Sequence, residues 1–241
     1  MLQLFFPSSC LKSSSSGFLL AKTGAMDEAL TNLWEAFRLR KDNNDLIKAS
    51  DTLKNIGNVH REQRRYDESI ECYNMCLDIR RGELGDQDEK CADAIIAIAN
   101  CRSDLDDHDG AMLAYEKALT IRIGVHGAND IRVAQILMSM GTMEFKAGDA
   151  SKAKNILEEY IRVRKENKTL PPDADYVNVL FIVGNINKMQ GRDFEARTCW
   201  SEAYELFNRI GLAKENPQIA KVMDNLLRGG DGGSKIPGRA S

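Results

Sequence analysis

Small residues recur along this chain at a fixed interval, and that interval limits what it can fold into. Gly57, Ala99, Gly141 and Gly184 are spaced by 42, 42 and 43 residues. A second set, Ser69, Ala111, Ala153 and Ala196, follows the first by 12 residues each time. Between and around them the apolar residues run at helical spacing. In the stretch 92–127, Ile95, Ile98 and Ala99 precede the cluster Asp106-Asp107-His108-Asp109-Gly110, and Ala111, Ala114, Tyr115, Ala118, Leu119 and Ile121 follow it. The 3.6-residue period marks two amphipathic helices, and the Asp/Gly cluster marks the turn between them. Antiparallel helices approach nearest where side chains are small, and a bulky residue one turn away fills the gap beside them. Tyr73, Tyr115, Leu157 and Trp200, each four residues after the second set, are those bulky partners. A chain patterned this way predicts a row of helical hairpins: an all-α, right-handed superhelical solenoid of antiparallel helix pairs.

The same register sets the expected organisation. Residues 27–49 form a partial repeat, whose Leu30, Leu33, Ala36, Phe37 and Arg40 match a second helix only. Its first helix would fall on Leu11 to Leu20, where a serine run is a poor helix former. Full repeats are expected over about 50–91, 92–133, 134–176 and 177–215. A lone helix over 217–227, with Ile219, Val222, Met223, Leu226 and Leu227 on one stripe, would cover the last hairpin. Residues 1–26 are a low-complexity segment with an apolar start, many serines and no acid, expected to be disordered or to serve in targeting. The Gly-rich tail 228–241 is expected to be disordered. Arg40, Arg80, Arg122 and Arg164 recur near the ends of second helices, where a cation complements the helix dipole.

Charge and composition narrow the function. Between residues 27 and 227 there are 28 Lys and Arg against 35 Asp and Glu, a net of −7. Nucleic-acid binding needs clustered cations, so an acidic body argues against it. No apolar run reaches the length of a membrane span. The six cysteines form no C-x-x-C pair and most sit among apolar residues, the pattern of reduced thiols in a cytoplasmic protein. Cys72 and Cys76 lie one helical turn apart without a second Cys or His pair, so no metal site is expected. His60, His108 and His126 are isolated in sequence. The pattern predicts no catalytic residue and no cofactor, and hence no enzyme.

Binding residues are better candidates. One position past the first small set, the chain reads Asn58, Asn100, Thr142 and Asn185. Asn offers both donors and an acceptor, so such a ladder can hold the backbone of an extended peptide. Three positions before the small set it reads Lys54, Ile96, Met138 and Phe181, with Phe145 and Met189 adding apolar surface. A groove on the first helices would then be charged at one end, where Asp51, Arg61 and Glu62 join Lys54, and apolar at the other. The competing reading makes Asn a tolerated polar residue on a solvated face and has the Met and Phe side chains pack against the next helix.

Several stretches carry a resemblance to a known family. These are Leu53-Lys54-Asn55-Ile56-Gly57, Tyr115-Glu116-Lys117-Ala118-Leu119-Thr120-Ile121-Arg122 and Gln190-Gly191-Arg192-Asp193-Phe194-Glu195-Ala196. They resemble the tetratricopeptide repeat, and the 42-residue period is similar to that of kinesin light chains. The resemblance implies a protein–protein interaction module, an adaptor or scaffold that binds a peptide segment of a partner in its concave groove. It also implies two alternatives: a motor or cytoskeletal cargo adaptor, and the repeat portion of a larger regulatory ATPase.

Overall fold

The computed structural model describes residues 26–167 and 171–228. The described residues form helices and connecting turns, with no strand among them. The degenerate segment at 11–20, Cys10 and the Gly-rich tail lie outside the described residues. By contact the chain divides into two compact units, Met1–Ala128 and Asn129–Ser241, where the sequence suggested one array over 27–227.

The first unit holds α1 (Met26–Asp42), α2 (Leu46–Glu62), α3 (Tyr66–Leu84), α4 (Glu89–Asp104) and α5 (His108–His126). α2 pairs with α3 and α4 with α5, while α1 packs on α2 and α3 on α4. The second unit holds α6 (Ile131–Ala147), α7 (Ala150–Glu166), α8 (Ala174–Met189), α9 (Asp193–Arg209), the single turn α10 (Leu212–Glu215) and α11 (Pro217–Arg228). Here α6 pairs with α7, α8 pairs with α9, and α11 packs on α9.

The small residues do what close packing requires. A Cβ added at Gly57 would lie 2.5 Å from the Tyr73 ring, one at Gly141 2.5 Å from Leu157, and one at Gly184 2.4 Å from Trp200. Those distances are far below van der Waals contact, so the bulky partner occupies the space that the glycine vacates. Ser69 adds a hydrogen bond across the first pair, its Oγ donating to the Gly57 carbonyl at 2.7 Å. α1 has the register of a second helix: Ala29, Leu33 and Ala36 are fully buried and stand where Ser69, Tyr73 and Cys76 stand in α3.

The first helices start three or four residues before the expected repeat boundaries. An aspartate sets each start. Asp45, Asp88, Asp130 and Asp173 cap α2, α4, α6 and α8, each carboxylate accepting a backbone N–H of the first turn. Such a cap contributes about 1 kcal/mol, and here it recurs at the repeat interval. Each hairpin turn carries one residue in the left-handed region: Arg64 (φ 61°), Asp106 (φ 59°), Gly148 (φ 91°) and Gly191 (φ 73°).

The arginine column is the main departure from the sequence reading. Arg40, Arg80, Arg122 and Arg164 are buried, not solvated helix-end cations. Arg40 Nη1 donates to Thr52 Oγ1 at 2.5 Å and to the Lys48 carbonyl at 3.2 Å. Arg80 donates to Ser50 Oγ, to the Lys90 carbonyl at 2.6 Å and to Asp51 Oδ1 at 2.7 Å. Arg122 meets Glu89 and Asp93. Arg164 donates to the Pro171 carbonyl and to Asp173, with its guanidinium 5.5 Å from the centre of the Tyr176 ring. Arg40, Arg80 and Arg164 thus join their own helix to the start of the following first helix, while Arg80 and Arg122 grip the first helix of their own pair. A guanidinium has five fixed donors, enough to bridge three chain segments at once.

Candidate functional site

Half-buried residues on α2 and α4 form the candidate row of the first unit. On α2 these are Asp51, Lys54, Asn58 and Arg61; on α4 they are Asp93, Ile96 and Asn100. The spacings of three and four keep them on one side of each helix. Charge pairs cross between the two helices. Lys54 Nζ lies 3.8 Å from Asp93 Oδ2, and Arg61 pairs with Asp104 at 2.8 Å. Asp51 and Asp93 are also the carboxylates that Arg80 and Arg122 reach, so this charged row is tied directly to the buried arginines. Burial works against the Arg61 charge, but its hydrogen bond to Asp104 prevails and raises the pKa.

The asparagines are held from behind. Tyr73 donates its hydroxyl to Asn58 Oδ1 at 2.7 Å, Tyr115 to Asn100 Oδ1 at 2.5 Å, and Trp200 Nε1–H to Asn185 Oδ1 at 3.2 Å. Indole N–H can only donate, which fixes the amide orientation at Asn185. Burial pushes the Tyr73 hydroxyl up to about 12, so it keeps its proton and stays a donor. Each asparagine carbonyl therefore already accepts one hydrogen bond inside the hairpin. None of the three Nδ2 groups is buried without a hydrogen-bond partner. The three asparagines thus present amide donors with the carbonyl already engaged once, where the sequence suggested donors and acceptors free together. Thr142 shows the rule from the other side. Its bulky partner is Leu157, which has no polar tip, and its hydroxyl donates to the Met138 carbonyl of its own helix.

The second unit carries Gln135, Met138, Thr142 and Phe145 on α6, and Asn178, Phe181 and Asn185 on α8. Met138, Phe145 and Phe181 are half-buried, and Met189 is exposed. Phe181 lines an apolar cleft of about 630 Å³ with Val177, Phe207, Leu212 and Met223. The structure thus places Lys54, Asn58, Ile96 and Asn100 on neighbouring helices of the first unit. It places Met138 and Thr142 on α6, and Phe181 and Asn185 on α8, in the second.

Chemistry of other kinds finds little support in the arrangement. Cys72, Cys76, Cys91 and Cys101 are buried free thiols and Cys199 is half-buried. Burial raises the pKa of each, that of Cys72 to about 11, which keeps them protonated and unreactive. Among the described residues no three His, Cys, Asp or Glu side chains come together as metal ligands. No helix among them is long and apolar enough to cross a membrane.

Residues 48–124, which span α2 to α5 almost entirely, match the tetratricopeptide-repeat family. Over residues 48–124 the chain is similar to tetratricopeptide repeats. Solved structures share the fold across most of its length. BtubC (BKLC) from P. vanneervenii is 18% identical with a TM-score of 0.60, covering 97% of this chain and 94% of its own. The nearly identical TPR-like repeats of a putative kinesin light chain from Podosopora anserina are 9% identical with a TM-score of 0.68, covering 85% and 98%. The Rap conjugation gene regulator of plasmid pLS20, solved in complex with the Phr* peptide, is 14% identical with a TM-score of 0.61, covering 94% of this chain and 60% of its own. No curated protein matches the chain in sequence.

Proposed function

We propose that this repeat protein is a protein–protein interaction module that holds extended segments of a partner on its first-helix rows. The observation that carries this reading is the orientation of Asn58, Asn100 and Asn185. With each carbonyl engaged by a buried aromatic, the outward amide donors are preset to meet peptide carbonyl oxygens without losing side-chain freedom on binding. The charged row of α2 and α4 suits a polar stretch of ligand. Met138 and Phe181, with the cleft beside Phe181, suit apolar side chains. A Rap regulator of the same fold was solved with a peptide bound, which supports the class of ligand but not its sequence.

The test uses Asn100→Asp and Asn185→Asp. Aspartate keeps the acceptor for Tyr115 or Trp200 and deletes the outward donors. On a peptide array probed with the full chain, the double variant is expected to lose capture at least tenfold while its melting temperature stays close to that of the parent. Undiminished capture by the folded double variant would overturn the reading. A cargo-adaptor role of the kinesin-light-chain kind is the finer reading that the 42- to 43-residue interval favours. Its check is direct binding to a purified kinesin motor.

A further inference from the structure

A second surface lies within the first unit, on another side of α4. Ile95, Ile98 and Arg102 follow one another at helical spacing on that side, between Asn74, Leu77 and Arg81 of α3 and Leu113 and Lys117 of α5. Together they line a groove of about 180 Å³. Its floor is apolar: Leu77, Ile95 and Ile98 are nearly covered, and Leu113 stands half exposed at its edge. Its rim is cationic, with Arg81, Arg102 and Lys117 and no carboxylate in the lining. Arg81 also pairs with exposed Asp86 at 3.0 Å, and Arg102 donates to the Gly110 carbonyl at 3.1 Å and pairs with Asp107 at 3.8 Å. Lys117 has no ion-pair partner among the described residues.

The repeat register shows that this groove is specific to its place. One helix pair earlier, Trp34 and Phe37 of α1 stand where Asn74 and Leu77 stand in α3, with their rings edge to face at 5.7 Å. The α2 residues in the positions of Ile95 and Ile98 are Leu53 and Ile56, and both have 0% exposed surface. Glu71 and Met75 take the positions of Leu113 and Lys117 there. In the second unit, the positions of Arg81 and Lys117 are held by Lys165 and Glu202, which pair with each other at 3.1 Å and join α7 to α9. In the first unit the corresponding pair is two cations, which cannot close on each other. Two aromatics and one carboxylate are thus replaced in a way that opens the site and makes its mouth positive.

We propose that the groove between α3 and α5 takes an acidic segment of a partner protein. One branched aliphatic side chain sits on Leu77, Ile95 and Ile98, and the flanking carboxylates pair with Lys117 and Arg81. The volume admits one such side chain and no backbone, so the segment lies across the mouth. The first unit is acidic overall, but charges farther than about 8 Å are screened at physiological ionic strength; Arg81 and Arg102 already share carboxylates, so Lys117 supplies the unpaired charge at the mouth. This surface does not depend on the asparagine ladder, and each can fail without the other.

The probe is a fluorescein-labelled peptide with one leucine flanked on each side by three glutamates, titrated with the full chain and read by anisotropy. Saturable binding that weakens at high salt is expected. Replacing the glutamates by lysine, or the leucine by alanine, is expected to weaken it at least tenfold. Lys117→Glu in the protein should do the same, and Asn74→Trp should block the groove without changing charge. Asn100→Asp should leave this binding unchanged. Both Lys117 and Asn74 are exposed, so the melting temperatures of their variants should stay near that of the parent. The proposal is overturned if the probe does not bind, if the lysine peptide binds equally well, or if Lys117→Glu has no effect. Self-association of the chain that Lys117→Glu abolishes, without probe binding, overturns it in favour of a second copy as occupant.

Discussion

The two units repeat one packing scheme and dress it differently. Residues 26–128 carry 14 Lys and Arg against 21 Asp and Glu, a net of −7, while residues 129–228 carry 15 against 14, a net of +1. In the first unit the exposed side of the first helices is a chain of ion pairs, Asp51 to Arg80, Lys54 to Asp93, Asp93 to Arg122 and Arg61 to Asp104. In the second the matching positions are Gln135, Met138, Asn178 and Phe181, and Arg164 turns to the segment before α8 instead. The buried columns are nearly constant across the units while the surface ones drift. Packing constrains volume at every hairpin, but a solvated position accepts any residue that leaves the helix intact.

Substitutions at matched positions can break this comparison, and the largest effect is expected at the buried arginines. Arg80→Ala removes a guanidinium that joins three segments and takes away its bonds to Asp51, Ser50 and the Lys90 carbonyl. A loss of about 3 kcal/mol is expected in urea unfolding. Arg164→Ala should cost less, because its partners lie on one segment only. Equal losses would mean that the two units use the arginine alike.

Next come the small columns. Gly184→Ala would drive a methyl group into Trp200, at an expected cost of about 2 kcal/mol. The matched first-unit change, Ala99→Gly, should cost about 1 kcal/mol through helix propensity alone. If Gly184→Ala were as mild as that, the Trp200 ring must be free to shift. Tyr115→Phe should cost about 1 kcal/mol by leaving Asn100 Oδ1 without its donor. It should also weaken peptide capture, because the amide is no longer held in one orientation. Retained capture in that variant would separate the ladder from its aromatic support.

The hairpin turns give the smallest effect. Arg64 adopts a left-handed conformation that Gly148 and Gly191 occupy without strain in the second unit. Arg64→Gly is expected to raise stability by about 1 kcal/mol, and Gly148→Ala to lower it by a similar amount. Thermal unfolding of the full chain reads both.

How far the sequence could be read depended on how local each feature is. Gly57 beside Tyr73, and Gly184 beside Trp200, were legible because helix approach demands a small and a large residue at fixed separation. The asparagine column was visible too, but its partner was not: Tyr73 and Trp200 were understood as fillers, and their polar tips were overlooked. The correspondence was present all along, since Asn faces Tyr or Trp and Thr faces Leu. Arg80 and Arg122 were misread as helix-end cations because their carboxylates lie 29 residues back. The aspartate caps at Asp45, Asp88, Asp130 and Asp173 were a repeat signal as regular as the glycines, and they mark the helix starts more closely than the apolar pattern does.

The sequence by itself determined the all-α hairpins, their register and which residues are small where helices touch. Periodicity and volume are properties of short segments and survive in the primary structure. Only the tertiary structure decided that the arginines are buried bridges, that the asparagine carbonyls are engaged from behind by Tyr or Trp, and that the site between α3 and α5 stays open with two cations at its mouth. Each of these depends on what a side chain meets across a helix pair, and the same residue type at the same register position meets different partners in different repeats.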